Sequence, residues 1–577
     1  MATSSGWWMY HGDPAHTGYV GSGSAIDAAA LSGGKFGVLH TLNVGGSILS
    51  VPAVSDGFIY VGLANSRDFP GEQGGTLLKI DLKSGQTVKR FPWKVELNER
   101  DTHGFCGMGS TPTVLGDGKT GKVYFVGFNA KLYCLTTADL SLVWVTDLRN
   151  RDLKHNQPVK TFEPGTDINN EPPPAAGWSA PLVVNGRIYL GIGEGENPQL
   201  NSFVFCLDAA TGNVVWVFCT NQYVCGQINQ PNQLPEKVVR DITLPPGYTV
   251  YYGTPLTLGC SVWGCIAYDE KLNRLFCPTG NGVPDGRLPT PGWSNGLLTL
   301  DATTGAFKAF YQIPRESNYR DSDIDVDVGA SPTLFDLDGR RVVGVGCKNG
   351  SFHLLDADTL APIKCRQLLP TYNDGTQIPT VDPHPDKKQT DTNVQNPRIA
   401  NRRSDLDDGE NYSGIYSTAA IHPGSRKIFV GIGGNNYHPV AAGIDTDNTP
   451  FIRALDYNTL DDAWPVDRGN PPRYAKARPP LYTNSSESGL SSPAVVNDVV
   501  FMATTYVSLY AFSVSDGTLL FEDRLGEQTG GFNGGYGYCM GPAVCGNYVV
   551  AGALVFGGDG GVLRIYGITD GSGGVST

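Results

Sequence analysis

The residues best suited to chemistry include an acidic run, DSDIDVDV at 321–328. In an extended strand alternate side chains point the same way, so Asp323, Asp325 and Asp327 are expected on one face. Three carboxylates on one face repel each other unless a cation or water screens them. The run therefore predicts either a carboxylate site that holds a cation or a solvated acidic loop.

A tryptophan and an asparagine stand 18 residues apart, in CSVWGCIAYD (260–269) and CPTGNG (277–282). The indole of Trp263 offers the largest flat face of any side chain, which suits stacking on a planar ring. The amide oxygen of Asn281 is a hard donor that suits Ca²⁺. Each also has an ordinary alternative, since Trp263 could be a buried structural residue and Asn281 a turn residue with left-handed backbone.

These residues belong to a unit that recurs along the chain: a Ser/Ala-Pro-x-Val strand, a turn with glycine, an aromatic-rich strand, then Leu-Asp-x-x-Thr-Gly and a Trp. Five clear copies and three weaker ones occupy 50–89, 110–144, 179–216, 261–311, 329–363, 416–464, 491–522 and 540–568. Each copy holds short runs of alternating apolar residues bounded by turn residues, the pattern of antiparallel strands. A four-stranded period of about 40 residues is typical of a propeller blade. The sequence predicts an all-β, eight-bladed β-propeller, with a strand from 36–45 completing the last blade.

We expect one domain over residues 1–577, interrupted by long excursions at about 221–258 and 366–412. Both segments are rich in Pro, Asn and Asp and carry little periodicity. Loops of that length in a compact domain are usually functional lids, and the alternative is decoration without a role.

Charge and hydropathy exclude several classes of protein. A net charge of −13 argues against nucleic acid and anionic membrane surfaces as partners. No run of about 18 apolar residues occurs, so no membrane span is expected. Residues 1–10 show neither the basic nor the apolar region of a signal peptide, and the absence of CxxCH argues against an attached c-type haem.

The repeat resembles the tryptophan-docking blades of pyrroloquinoline-quinone (PQQ)-dependent, or quinoprotein, alcohol dehydrogenases. Leu207-Asp208, Thr211-Gly212 and Trp216 carry it most clearly, and GWWMYHGDPAHTGY (6–19) is similar to the N-terminal element of that family. DVDVGASPTLFD (325–336) is similar to the polyvinyl-alcohol-dehydrogenase-like branch. The similarity covers about residues 6–568, and it implies tryptophan-docking PQQ repeats and a periplasmic or secreted oxidoreductase.

The resemblance also implies a role for each candidate. Trp263 would form the floor under PQQ, Lys348 in GCKNG (346–350) would touch the quinone oxygens, and Asn411 would be a further cofactor contact. The implied metal ligands, for Ca²⁺ or a lanthanide, are Glu196, Asn281, Asp325 and Asp327. Glu194 is open as an alternative to Glu196, and Asp327 matches the extra carboxylate of lanthanide-using relatives.

In the reaction that the resemblance implies, an alcohol is oxidised to a carbonyl compound. Asp325 takes the hydroxyl proton while hydride passes to the quinone, and electrons leave to a separate acceptor such as a cytochrome c. The substrate is a small-molecule or polymeric alcohol.

The alternative function is a propeller without PQQ, acting as a binding scaffold or with its axial pocket recruited to other chemistry. The family's vicinal cysteine pair is not found, since HGFCGMGSTPT (103–113) offers only Cys106. An arginine for the PQQ carboxylate is not found in that region either. These absences favour the alternative. Trp263, Asn281, Asp325 and Lys348, which follow in order along the repeats, favour the enzyme.

Overall fold

The computed structural model describes residues 6–66, 68, 74–94, 107–148, 151–152, 157–158, 177–193, 202–220, 260–280, 293, 295–313, 328–348, 350–368, 414–432, 451–464, 489–504, 508–524, 538–554 and 561–569. Nearly all regular structure in these ranges is β-strand. The α-helix found in them is α1 (Ala28–Ser32), and a 3₁₀ turn covers Pro423–Ser425. No helix in this part of the chain is long and apolar enough to cross a membrane.

The strands form eight blade sheets in the order of the sequence repeats, as predicted. Three short elements come first: β1 (Gly6–Trp7), β2 (Tyr19–Val20) and β3 (Phe36–Asn43). Blade 1 has β4 (Ala53–Ser55), β5 (Phe58–Leu63), β6 (Gly74–Asp81) and β7 (Thr87–Lys94). Blade 2 has β8 (Thr113–Leu115), β9 (Lys122–Val126), β10 (Lys131–Thr136) and β11 (Leu142–Asp147), followed by a ribbon of β12 (Arg151–Asp152) and β13 (Gln157–Pro158). Blade 3 has β14 (Leu182–Val184), β15 (Arg187–Ile192), β16 (Phe203–Asp208) and β17 (Val214–Cys219).

The second half of the chain repeats this arrangement. Blade 4 has β18 (Ala267–Asp269), β19 (Arg274–Thr279), β20 (Gly296–Asp301) and β21 (Phe307–Gln312). Blade 5 has β22 (Thr333–Leu337), β23 (Arg340–Gly346), β24 (Ser351–Asp356) and β25 (Pro362–Gln367). Blade 6 has β26 (Ala420–His422), β27 (Lys427–Gly431) and β28 (Ile452–Asp456), and blade 7 has β29 (Ala494–Val496), β30 (Val499–Ala503), β31 (Ser508–Ser513) and β32 (Leu519–Arg524). Blade 8 has β33 (Tyr538–Cys545), β34 (Tyr548–Leu554) and β35 (Val562–Ile568).

The ring closes through the predicted N-terminal strand. Within each blade neighbouring strands pair antiparallel. The first strands of neighbouring blades contact each other at several places around the ring, including β33 with β4. β3 pairs antiparallel with β35, from Phe36 opposite Ile568 to Asn43 opposite Val562. Strand 36–45 therefore completes blade 8, as the sequence predicted. The predicted excursions at 221–258 and 366–412 lie outside the described residues, apart from 366–368 at the end of β25.

Tryptophan docking joins neighbouring blades. The turn after β16 is held by the Asp208 carboxylate, which accepts hydrogen bonds from the Thr211 amide and hydroxyl, each at 3.0 Å. At Gly212, where φ is +73°, a Cβ would lie 2.6 Å from the ring of Trp144 in blade 2. A Cβ at Gly305 in blade 4 would likewise lie 2.7 Å from Trp216 of blade 3. Only glycine allows the indole of one blade to lie flat on the turn of the next.

Blades 7 and 8 are joined by a buried ion pair. The guanidinium of Arg564 on β35 pairs with the carboxylate of Asp523 on β32. The Tyr566 hydroxyl donates to the same carboxylate at 2.8 Å. Arg564 and Tyr566 belong to β35, the strand that pairs with β3 and so closes the ring.

Residues 6–20, which we call the N-terminal segment, cross one end of the propeller. β1 pairs with β4 of blade 1, and β2 pairs in parallel with β29 of blade 7. Between them, single backbone amides of five blades donate to carbonyls of the segment at 2.7–3.0 Å: Val114 to Trp8, Tyr268 to Pro14, Leu334 to Ala15, Ile421 to Thr17 and Val495 to Gly18. The segment therefore binds the innermost strands of six blades at once.

Candidate active site at the propeller axis

The candidate site lies toward the other end of the innermost strands. In blades 4, 5 and 6, one backbone amide of the innermost strand bonds the N-terminal segment. The residues five positions before these amides in the sequence are Trp263, Gly329 and Tyr416. We call these equivalent positions the rim layer; blade 3 contributes Trp178, which packs edge-on against Phe128 at 4.6 Å between ring centroids.

Lys348 extends from the turn between β23 and β24 into this rim layer. Its ammonium lies 5.2 Å from the centroid of the Trp263 ring and 5.3 Å from that of Tyr416. The two rings are 6.5 Å apart and inclined at 49°. Lys348 is buried, with 8% of its surface exposed, whereas both rings are half-buried. The structure thus joins an aromatic face and a positive charge from different blades.

The glycine between the two rings leaves room for this contact. A Cβ at Gly329 would lie 3.2 Å from Cγ of Lys348 and 3.4 Å from the Trp263 ring. Side chains rarely approach a Cβ that closely, so a larger residue would push the lysine away from the indole. Gly329 directly follows the acidic run in the sequence.

One layer further in, hydrogen bonds connect successive blades around the axis. The Cys265 amide donates to Ser331 Oγ at 2.8 Å, the Ser331 amide to Thr418 Oγ1 at 3.1 Å, and the Thr418 amide to Ser492 Oγ at 2.9 Å. The Tyr10 hydroxyl from the N-terminal segment reaches Thr418 Oγ1 at 2.8 Å and Ser492 Oγ at 3.2 Å. Burial raises the pKa of Tyr10 to about 12. The phenol therefore stays neutral and completes a polar support beneath the rim layer.

Of the site residues predicted from the sequence, the structure describes Trp263 and Lys348 and brings them together. Glu196, Asn281, Asp325, Asp327 and Asn411 lie outside the described residues, as do Glu194, Asp323 and Cys106.

Several described residues are close in sequence to these predicted ligands. The Val328 amide, next to Asp327, donates to the Thr279 carbonyl at 3.4 Å, two residues before Asn281. A Cβ at Gly191, three residues before Glu194, would strike the backbone of Val262. Gly191 and Gly329, two described residues near the predicted ligands in the sequence, therefore lie beside Val262 and Trp263.

Sequence reasoning missed Tyr416, Tyr10 and Trp178. Tyr416 directly precedes Ser417-Thr418, in the same register of the repeat as Trp263. Aligning the copies position by position along the innermost strand would have found it and Trp178. Nothing in the sequence pattern connects Tyr10 with blades that lie about 400 to 480 residues away along the chain.

Comparison with known proteins points to one group. Residues 152–402 match the family described as "PQQ: Glucose/ethanol/alcohol dehydrogenase, beta-propeller domain". The predicted resemblance to PQQ dehydrogenases is confirmed. The matched range includes Trp263 and Lys348. The polyvinyl-alcohol-dehydrogenase-like branch stays a prediction.

Individual quinoprotein relatives are distant. A lupanine 17-hydroxylase [cytochrome c] of a Pseudomonas species is 24% identical over 62% of this chain and 47% of its own. The quinohemoprotein alcohol dehydrogenase ADH IIB of Pseudomonas putida is 27% identical over 53% of this chain and 39% of its own. The chain thus spans less than half the length of these curated relatives.

Solved quinoprotein structures share the fold. The quinohemoprotein alcohol dehydrogenase of Comamonas testosteroni superposes with a TM-score of 0.62 at 18% identity, over 99% of this chain and 81% of its own. A europium-containing methanol dehydrogenase gives 0.63 at 14% identity, over 98% and 99%. At these identities the likeness concerns the fold alone.

Proposed function

We propose that the protein oxidises an alcohol to a carbonyl compound with PQQ and a bound metal ion. The observation that carries the proposal is the buried Lys348 ammonium 5.2 Å above the Trp263 ring. Two residues that the resemblance assigned to the cofactor thereby meet in the rim layer, although they come from different blades. The confirmed resemblance supports the same cofactor class.

The described residues fit a flat, anionic quinone. The half-buried indole of Trp263 offers a face for a planar ring, and aromatic rings stack in offset arrangements. The Lys348 ammonium can donate hydrogen bonds to quinone oxygens or carboxylates. PQQ, when bound, supplies the acceptor for the hydride of the alcohol.

The remaining roles fall to residues outside the described ranges. We assign the proton acceptor to Asp325, whose carboxylate would take the hydroxyl proton. Oxygens of Glu196, Asn281, Asp325 and Asp327 would hold the cation, and Asn411 would contact the cofactor. Carboxylate and amide oxygens suit Ca²⁺, while the third acidic side chain suits a trivalent lanthanide.

The proposal includes the setting of the reaction. We place residues 1–577 in one propeller domain and the reaction in the periplasm or outside the cell, with a separate electron acceptor such as a cytochrome c. Fractionation of cells that produce the protein tests where it is located. Assays of alcohol oxidation with and without added cytochrome c test the electron acceptor.

The decisive test is reconstitution of the purified protein with PQQ and either Ca²⁺ or La³⁺. Quenching of tryptophan fluorescence measures binding, and a dye-linked assay with a panel of small and polymeric alcohols measures turnover. We expect Trp263→Leu and Lys348→Met to weaken PQQ binding, whereas Lys271→Met, on the surface, should not. If the wild-type protein binds no PQQ with either metal, the proposed function is wrong and the alternative of a propeller without PQQ is favoured.

A further inference from the structure

The Lys348 ammonium lies against two neighbouring aromatic rings, Trp263 and Tyr416, and Tyr416 has no role in the proposed function. It is almost equally far from the centroids of Trp263 and Tyr416, at 5.2 and 5.3 Å. A cation over an aromatic face is stabilised, and more strongly when water is excluded. Because Lys348 is buried and both rings face it, each ring replaces part of the hydration that the ammonium has lost.

Backbone contacts fix the two aromatic residues relative to the lysine. The Ile415 amide donates to the Cys347 carbonyl at 3.0 Å, which ties Tyr416 to the turn of Lys348. Gly414, at φ +119°, lies so close that a Cβ there would strike the Lys348 carbonyl oxygen. The turn that carries Lys348 is therefore in direct backbone contact with residues 414–415, which precede Tyr416.

Trp263 is tied to the same frame through the inner hydrogen bonds. The Cys265 amide binds Ser331 Oγ, and the Ser331 amide binds Thr418 Oγ1, two residues after Tyr416. Three consecutive blades thus present the indole, the glycine gap and the phenol in fixed register. The side chain of lysine is long and flexible, so the two rings against its end group restrict the positions that the ammonium can take.

We propose that Tyr416 is a positioning residue for Lys348: its ring forms the second wall of a two-ring cage that fixes the direction of the ammonium N–H groups. Without the Tyr416 ring the ammonium would have more freedom to move away from the indole. With both rings it stays over the indole, where, if the proposed function holds, the quinone oxygens would be. The ring of Tyr416 does this, so phenylalanine should serve as well.

The cage itself is tested without any cofactor, by the rate at which an N-hydroxysuccinimide ester acylates Lys348. Peptide mapping by mass spectrometry gives this rate relative to Lys271, whose side chain is 77% exposed. Tyr416→Leu should raise the relative rate about 3- to 30-fold, the range of one cation–π contact. Tyr416→Phe should leave it within twofold.

Trp178→Leu is the matched control, because it removes the rim-layer indole of blade 3, which packs on Phe128. It should leave the Lys348 rate unchanged. An unchanged rate in Tyr416→Leu, or an equal rise in Tyr416→Phe, would overturn the cage. Circular dichroism and thermal midpoints of each variant show that the fold is intact.

A second measurement connects the cage with the proposed function. Tyr416→Leu should weaken PQQ binding about 3- to 30-fold in the wild-type background and leave it unchanged in Lys348→Met, because the ring acts through the lysine. Additive losses would refute positioning. If the wild-type protein binds no PQQ but the acylation rates behave as expected, the proposed cofactor is wrong and the cage stands.

Discussion

Neutralising Asp523 should destabilise the closing end of the ring. The side chains of Arg564 and Asp523 are only 4% and 8% exposed, and Tyr566 donates to the same carboxylate. Asp523→Asn keeps the shape but leaves the guanidinium buried without a full counter-charge. Breaking a buried pair by removing one partner typically costs 3–5 kcal/mol.

The expected change in melting temperature follows from chain length. At about 2.1 cal/mol/K per residue, the 577 residues give an unfolding entropy of about 1.2 kcal/mol/K. A loss of about 3–5 kcal/mol then lowers Tm by about 2.5–4 °C if the propeller unfolds as one unit. Scanning calorimetry at pH 7 resolves such a shift.

A surface pair provides the control. Arg426 and Asp338 pair at 2.8 Å with side chains 41% and 68% exposed, so water screens the pair and Asp338→Asn should leave Tm almost unchanged. In the double variant Asp523→Leu with Arg564→Met, both charges are gone and much of the stability should return. Equal Tm values for Asp523→Asn and Asp338→Asn would refute the reasoning.

Three further predictions concern the site and the N-terminal segment. Asp325→Asn should keep PQQ binding but lower kcat by about 10² to 10⁴; full quinone loading with wild-type turnover would contradict its role as base. Asp327→Ala should lose little activity with Ca²⁺ and most of it with La³⁺, as titration of each metal will show. Burial lowers the pKa of His16 to about 3, below the unfolded value of about 6.5, so its contribution to stability is complete above pH 6.5 and is lost toward pH 3. Between pH 7 and 5 the free energy of unfolding should therefore fall by about 2 kcal/mol through His16. If the urea midpoint falls as much between these pH values in His16→Gln as in the wild-type protein, this prediction is wrong.

The repeats made the blades predictable, because each copy carries its own alternation and its own Asp-x-x-Thr-Gly turn. The completing strand could be predicted as well, since 36–45 alternates but belongs to no complete copy. Trp263 and Lys348 could be placed in one site because the resemblance fixed their positions within the repeat. The cage around Lys348 could not, since Tyr416 becomes relevant only when neighbouring blades are in register.

The N-terminal segment shows the limit of sequence patterns. Its backbone bonds to blades 2, 4, 5 and 6 are single amide–carbonyl contacts, so no periodicity marks them. The segment is similar to an element of the family, but similarity does not give its path across the propeller. That path is held by backbone amide and carbonyl groups, which every sequence has. Tyr10 reaches the inner hydrogen bonds only because that path brings its side chain to the axis.

The same segment sets the order in which the molecule can be completed. Residues 6–20 leave the ribosome before any of the blades, but several of their partners appear much later: the His11 ring contacts the carbonyl of Pro493, 482 residues further along the chain. The partner of β3, strand β35, is synthesised later still. Contacts so distant along the chain slow folding, because the intervening loop must be closed before they contribute. During synthesis the early blades therefore exist while β3 is still unpaired, and a chain cut short before blade 7 lacks the blade-7 part of the surface that binds its own N-terminal segment.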